Sequence, residues 1–146
     1  MNREEILSAV APCGIACSIC PVHEKLVTPE IQERIGAMLG LPPEKITCKG
    51  CRSDQRAPIC PADCPTLDCS REKGVEFCHE CADFPCQMLN PASDRADKLP
   101  HNLKVYNLCR MKLMGVEKWL EEDAGPTLAR YYRGKMVIGK GPEVKE

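Results

Sequence analysis

Large side chains are scarce in this chain. Aromatic residues make up only 4% of it: one tryptophan, three tyrosines and two phenylalanines among 146 residues. A stacking platform for nucleic-acid bases needs more aromatic surface than that. Net charge is nearly absent as well, since 20 basic residues meet 21 acidic ones for a formal balance of -1. This gives no electrostatic footing on nucleic acid or on an anionic membrane. Long apolar runs are missing, so no segment predicts a bilayer span. The opening stretch MNREEILSAVAPC mixes charges into a short, interrupted apolar run and does not read as a secretory signal. These absences predict a cytoplasmic protein with no nucleic-acid and no membrane partner.

What the chain has in excess is cysteine, twelve in all. Where thiols stay reduced, such density points to metal or redox chemistry rather than to disulfides. Eleven of the twelve fall into four groups. The first is Cys13, Cys17 and Cys20; the second is Cys48 and Cys51. The third is Cys60, Cys64 and Cys69; the fourth is Cys78, Cys81 and Cys86. Cys109 stands alone and reads as a small core residue. The middle third of the chain is poor in Leu, Ile, Val and Phe, so metal staples are expected to replace part of a core there.

A C-x2-C pair is a physical device. The turn between the thiols aims both sulfurs at one ion, and backbone N–H groups of the turn offset the thiolate charge. The chain carries three such pairs, 17/20, 48/51 and 78/81. Gly50 suits the left-handed position that such a turn often needs. Lys49 and Arg52 flank the second pair and favour its thiolate form. Two pairs make a closed tetrahedral zinc site. The zinc reading therefore groups Cys17, Cys20, Cys48 and Cys51 in one site. It groups Cys64, Cys69, Cys78 and Cys81 in another, with Cys60 able to replace Cys64. The alternative is an iron–sulfur protein serving electron transfer or an anaerobic enzyme. Cys13, Cys17 and Cys20 would then supply three ligands and Cys86 or Cys60 the fourth. Cys–Pro at positions 20, 60 and 64 is a feature of cluster ligands, although the ferredoxin run is not present. Softness does not separate the two, because thiolates suit both.

The stretch CGIACSICP at 13–21 has the C-x3-C-x2-C spacing of radical S-adenosylmethionine enzymes. Those enzymes need a large partial barrel. The chain beyond Cys20 is about half the length of a full barrel, and it shows no βα alternation, so the spacing alone carries little. A thioredoxin-type couple at 78/81 lacks its βαβ context. His23 and His101 read as surface residues. His79, inside a knuckle, reads as solvent-exposed rather than as a substitute ligand. No carboxylate pair, Ser/His/Asp set or phosphate loop stands out, and the chain leans away from being an enzyme.

The fold expected is small and mainly α, with an irregular cysteine-rich, metal-stabilised region and few or no strands. A single domain over 1–146 would hold a metal-binding region at 11–90, a helical region at 99–133 and a loose tail at 134–146. Residues 3–10 suit a short helix. Residues 28–39 suit a better one: Thr28 caps, Pro29 takes the first position, Ile31, Ile35, Met38 and Leu39 share a face, and Gly40 stops it. Residues 46–86 read as knuckles and turns. Beyond them Leu99, Leu103, Tyr106, Cys109 or Arg110, Leu113, Val116 and Leu120 recur at helical spacing, with Pro100 in the first turn and Gly115 dividing the run. Gly125-Pro126 reads as its end and Thr127 as the cap of a last short helix. Met136-Val137-Ile138 suits a strand. Trp119 and Leu120 are expected to pack against the metal-bound region.

The chain resembles the cysteine-rich domain-of-unknown-function family 3795 of bacteria and archaea. The matching pieces are CGIACSICP at 13–21, CKGCR at 48–52, CSREKGVEFCHECADFPC at 69–86 and PHNLKVYNLCRMKLMGVEKWL at 100–120. The resemblance runs from about Cys13 to Leu120. It implies a small metal-binding protein, by expectation a zinc binder, and no established reaction. Many relatives carry further cysteines after the tryptophan region; this chain has none beyond Cys109. The combined reading is a structural-zinc module whose partner is another protein.

Overall fold

Asn2 opens the first helix, α1 (Arg3–Ala9), of the computed structural model, which describes residues 1–56, 58, 60, 63–89, 103–137 and 141–143. The Asn2 side chain accepts from the Glu5 N–H at 2.9 Å, and the Asn2 N–H donates to the Glu5 carboxylate at 2.7 Å. This reciprocal cap satisfies two donors that helix geometry leaves open. Val10, Ala11 and Pro12 then lead into a tight turn. Ala11 N–H donates to Ile15 O and Gly14 N–H to Ala11 O, so Cys13 sits at a hairpin-like tip. Gly14 is needed there for space: a Cβ would lie 2.9 Å from Lys104 O and 3.0 Å from a Leu108 side-chain carbon.

The second helix, α2 (Pro29–Leu39), has the predicted ends. Thr28 accepts from Ile31 N–H at 3.3 Å, Pro29 takes the first turn, and Gly40 closes it in the left-handed region. Ile31, Ile35 and Leu39 pack on Val22 and Ile46, forming a small core of their own. Met38 stays outside, 68% exposed.

A third helix, α3 (Pro65–Glu72), corrects the reading of 46–86 as knuckles and turns. Its physical signals are ordinary ones: Pro65 in the first turn, Asp68 near the positive end and Arg71 near the negative end. The flanking cysteines masked them.

The C-terminal region holds α4 (Lys104–Met114), α5 (Val116–Glu122) and α6 (Ala124–Arg133). Gly115 divides α4 from α5, as its position predicted. Gly125-Pro126 does not end a helix; it lies in the first turn of α6, where a proline lacking its N–H costs nothing. Thr127 is likewise inside α6 rather than its cap, and its N–H donates to Asp123 O at 2.9 Å. The α4 stripe was predicted with the right period and the wrong phase. Lys104, Asn107, Leu108 and Met111 are buried, while Leu113 is 78% and Tyr106 45% exposed. Cys109 is exposed too, not a core residue. Leu99, Pro100 and His101, with the start of the 99–133 region, lie outside the described residues.

The tail carries a short antiparallel hairpin of β1 (Lys135–Val137) and β2 (Gly141–Glu143), with Lys135 opposite Glu143. It is therefore not loose throughout; Ile138 and the last residues lie outside the description. The fold is mainly helical, as expected, with this one hairpin among the described residues. No described helix is long and apolar enough to cross a membrane.

The main core is built around Trp119, Leu108 and Val10, with Phe77, Leu89 and Met111 beside them. Cys13 and Cys78 pack on its edge, and Cys20 and Cys48 pack on the edge of the smaller one. Four of the thiols thus lie at the margins of the two cores.

Candidate metal centre

The first thiol pair sits on a 3-10 turn, Cys17–Ile19, closed by Cys20 N–H donating to Cys17 O at 3.0 Å. The fourth group repeats the device: Cys78–Glu80 is a 3-10 turn in which Cys81 N–H donates to Cys78 O at 3.2 Å. Glu80 braces it by accepting from the N–H groups of Glu76 and Phe77 at 2.9 and 3.0 Å. In the second pair, Gly50 N–H donates to the Cys48 sulfur at 3.4 Å. That bond is the charge-offsetting contact a metal knuckle uses.

Gly50 is fixed twice over. Its φ is +102°, and a Cβ would lie 2.8 Å from Ser8 O of α1. Gly50→Ala is expected to lower stability by about 2–3 kcal/mol, from backbone strain and from pushing α1 off the knuckle. Denaturant unfolding of the variant checks this; an unchanged midpoint would show that the turn relaxes freely.

Backbone contacts draw the groups together. A parallel bridge joins His23 to Cys48, and Glu24 N–H donates to Cys48 O at 2.8 Å. This brings the first pair against the second. Cys78 N–H donates to Pro12 O at 2.9 Å, which brings Cys13 against the fourth group.

The electrostatics report the same neighbourhoods. Burial pushes the Cys17 thiol up to about 12; the Cys51 N–H opposes the rise, and charge on Cys13, Cys20 and Cys48 adds to it. Burial also raises Cys20, opposed by the Val22 N–H and reinforced by Cys48. Burial raises Cys51, with Cys13, Cys17, Cys64 and Cys60 adding. Cys13 is raised by burial, against the pull of Lys104 and the Ile15 N–H. Cys78 is pushed up to about 12 by burial, and then by Cys13, Cys86, Cys69 and Cys81 in that order. Burial pushes the Cys60 thiol up to about 12, and charge on Cys48, Cys20, Cys64 and Cys13 adds to the rise.

Two electrostatic neighbourhoods result. Charge on Cys17, Cys20, Cys48, Cys60 and Cys64 adds to the rise of one or more of Cys17, Cys20, Cys51 and Cys60, and charge on Cys69, Cys81 and Cys86 adds to that of Cys78. Cys13 acts in both. Charge on Cys64 adds to the rise of Cys13, Cys51 and Cys60. All twelve cysteines are free thiols. Among the described residues, no three or more histidine, cysteine or acidic side chains stand as a finished cage. The donors are neighbours on braced turns rather than converged ligands.

Arg52 clasps this assembly. Its guanidinium donates to Leu7 O at 2.8 Å, and also to Val10 O and Glu76 O, and it lies 5.3 Å from the Phe77 ring centre. It joins the end of α1, the second pair and the approach to the fourth group. Burial draws its ordinary value down, while charge on Cys51, Cys17 and Glu76 holds it up.

Two histidines differ from expectation. His23 is buried, 7% exposed, because its loop is pinned to Cys48 and Lys25 N–H donates to its Nδ1 at 3.3 Å. His79 is half-buried and stacked on Phe77, with ring centres 5.9 Å apart. Its Nε2 is buried without a hydrogen-bond partner among the described residues. It is a nitrogen donor beside the second thiol neighbourhood, and its place within a C-x2-C loop was the signal for it.

The family description "Protein of unknown function (DUF3795)" matches residues 9–91, more than half of the chain. The chain belongs to the DUF3795 family. The DUF3795 match covers every grouped cysteine, from Cys13 to Cys86, and α1 only at its end. It stops short of α4, α5 and α6, so the distal stretch 100–120 lies outside it. No curated protein and no solved structure matches the chain. Membership in DUF3795, with a cysteine-rich matched segment, is compatible with metal binding and names no reaction.

Proposed function

We propose that this protein is a cytoplasmic thiolate metal-binding module that holds structural zinc and presents a surface to another protein. The observation that carries the reading is the interlock of the first two C-x2-C turns: His23 bridges to Cys48, and Glu24 N–H donates to Cys48 O at 2.8 Å. Four sulfurs from two braced turns are the donor set of a closed zinc site. Zinc would be held by Cys17, Cys20, Cys48 and Cys51, and a second ion by Cys69, Cys78, Cys81 and Cys86. Bound there, zinc would supply charge compensation and rigidity, not an open position for substrate.

The buried thiols fit this role. Their raised values keep them protonated at neutral pH in the metal-free chain, and a divalent cation displaces those protons on binding. The outward face of α4 supports the partner, since Tyr106 and Leu113 lie exposed on it.

One observation favours an iron–sulfur alternative. Cys13 acts in both neighbourhoods, and two four-thiolate zinc sites leave it idle. Elemental analysis and a visible spectrum on protein purified without oxygen and without affinity metal decide the matter. The expected result is a colourless sample with about two zinc ions per chain, unchanged in Cys13→Ser. A brown sample with iron and sulfide, bleached by Cys13→Ser, would overturn zinc and point to electron transfer.

A further inference from the structure

Beside the thiols, and independent of which metal they hold, lies a cavity of about 480 Å³. Ile15, Ile19 and Val22 of the first thiol loop form one wall, Ile35 of α2 another, and Leu128 of α6 a third. Its volume falls in the range of small-molecule sites, which are apolar with a few polar groups that fix orientation. Two of its lining residues, Trp119 and Asn107, carry such groups. Trp119 is 0% and Asn107 6% exposed. The Trp119 Nε1–H and the Asn107 Oδ1 are both buried without a hydrogen-bond partner among the described residues. The Asn107 orientation follows from its network, because its Nδ2 donates to Gly14 O at 2.8 Å. That leaves the oxygen as the orphan.

A buried donor and a buried acceptor left unmatched on neighbouring helices are costly unless something fills them. We infer that this cavity binds a small uncharged amphiphile, an apolar chain or ring carrying one hydroxyl or primary carboxamide. Such a head both accepts from Trp119 and donates to Asn107, while the body lies against the aliphatic walls. A carboxylate can only accept. It would leave the Asn107 oxygen unmatched, although Arg34 at the rim would attract it. Cys20 also lines the cavity, so a bound molecule would touch the edge of the metal knuckle.

Trp119 is the single tryptophan of the chain, so its emission reports the site without labelling. The test titrates the full-length protein, as purified with its metal, with 1-octanol, octanamide and octanoate. Octanol and octanamide are expected to shift the emission saturably and to compete with one another. Octanoate is expected to bind about tenfold more weakly or worse, for want of a donor. Leu128→Phe and Ile35→Phe, on two different helices, are expected to weaken octanol by about tenfold through lost space. Thermal unfolding identifies a variant that fails to fold, and the other then carries the test. A response that never saturates would overturn the site. So would full affinity in a folded variant, and octanoate binding as tightly as octanol would overturn the assigned ligand class.

Discussion

Arg52→Ala is expected to lower the stability of the folded chain by about 3 kcal/mol, since a bond from a charged donor is worth ~1.5–3 kcal/mol. The side chain serves three carbonyls, Leu7 O, Val10 O and Glu76 O, and lies over Phe77. Two of those carbonyls, at Leu7 and Val10, lie at the end of α1, where helix geometry leaves acceptors open and a cation is favoured. Water entering the gap would recover part of the loss, which is why the figure stays below the sum of the bonds. Arg52→Lys should recover less than half, because an ammonium lacks the planar fork that reaches several acceptors at once. Urea unfolding monitored at Trp119 measures both. Equal stability of the lysine variant and the wild type would mean that charge alone matters, and an unaffected alanine variant would remove the clasp from the account.

Under the zinc reading, metal removal is expected to have the second large effect. A strong chelator under reducing conditions is expected to lose the fold of the knuckle region and to loosen the main core, shifting Trp119 emission to the red. Structural zinc contributes on the order of 10 kcal/mol in small domains, comparable to the ~5–15 kcal/mol of a whole protein's stability. The packing of Cys13 and Cys78 on the core of Trp119 transmits the loss. The pH response gives an independent sign. In the metal-free chain, burial pushes the Cys17 and Cys78 thiols up to about 12, above the ordinary thiol value of 9.0. A raised value means that the folded chain keeps the proton longer than the unfolded one. The associated stability is present below pH 9 and is lost as pH climbs toward 12. Metal-loaded protein should behave oppositely, losing its metal as acid protonates the thiolates. Circular dichroism against pH, with and without chelator, reads both slopes. Parallel slopes, or helicity untouched by chelation, would contradict a metal-held fold.

Local signals were legible where they acted alone. Thr28, Pro29 and Gly40 marked both ends of α2, and Gly115 marked the break between α4 and α5, because caps and breaks depend on neighbouring residues only. Phase was not legible in α4. Tyr106, Cys109 and Leu113 recur at helical spacing and so do Val105, Leu108 and Met111, and only tertiary packing selects between two apolar stripes on one helix. The burial of Lys104 and Asn107 could not be read either, since each is placed by the turn of Cys13 and Gly14 that docks on α4. The thiol groups were visible as pairs. Their assembly was not, because it rests on long-range backbone bonds such as Cys78 N–H to Pro12 O. The same holds for the cavity, whose walls come from four separate stretches of chain.

The bridge between His23 and Cys48 reaches further than the thiols it aligns. It brings the two ends of the excursion carrying α2 side by side, so the excursion is a closed loop with its own small core. Lengthening a closed loop costs little, because the entropy of closure grows only with the logarithm of its length. Ile35 in that loop forms one wall of the cavity, while Cys20 and Cys48 pack on the loop's small core. The topology therefore separates what must stay constant from what is free to vary. Substitution on the cavity face of α2 can reshape the cavity, while the backbone bridge at the loop's two feet holds the thiol turns together.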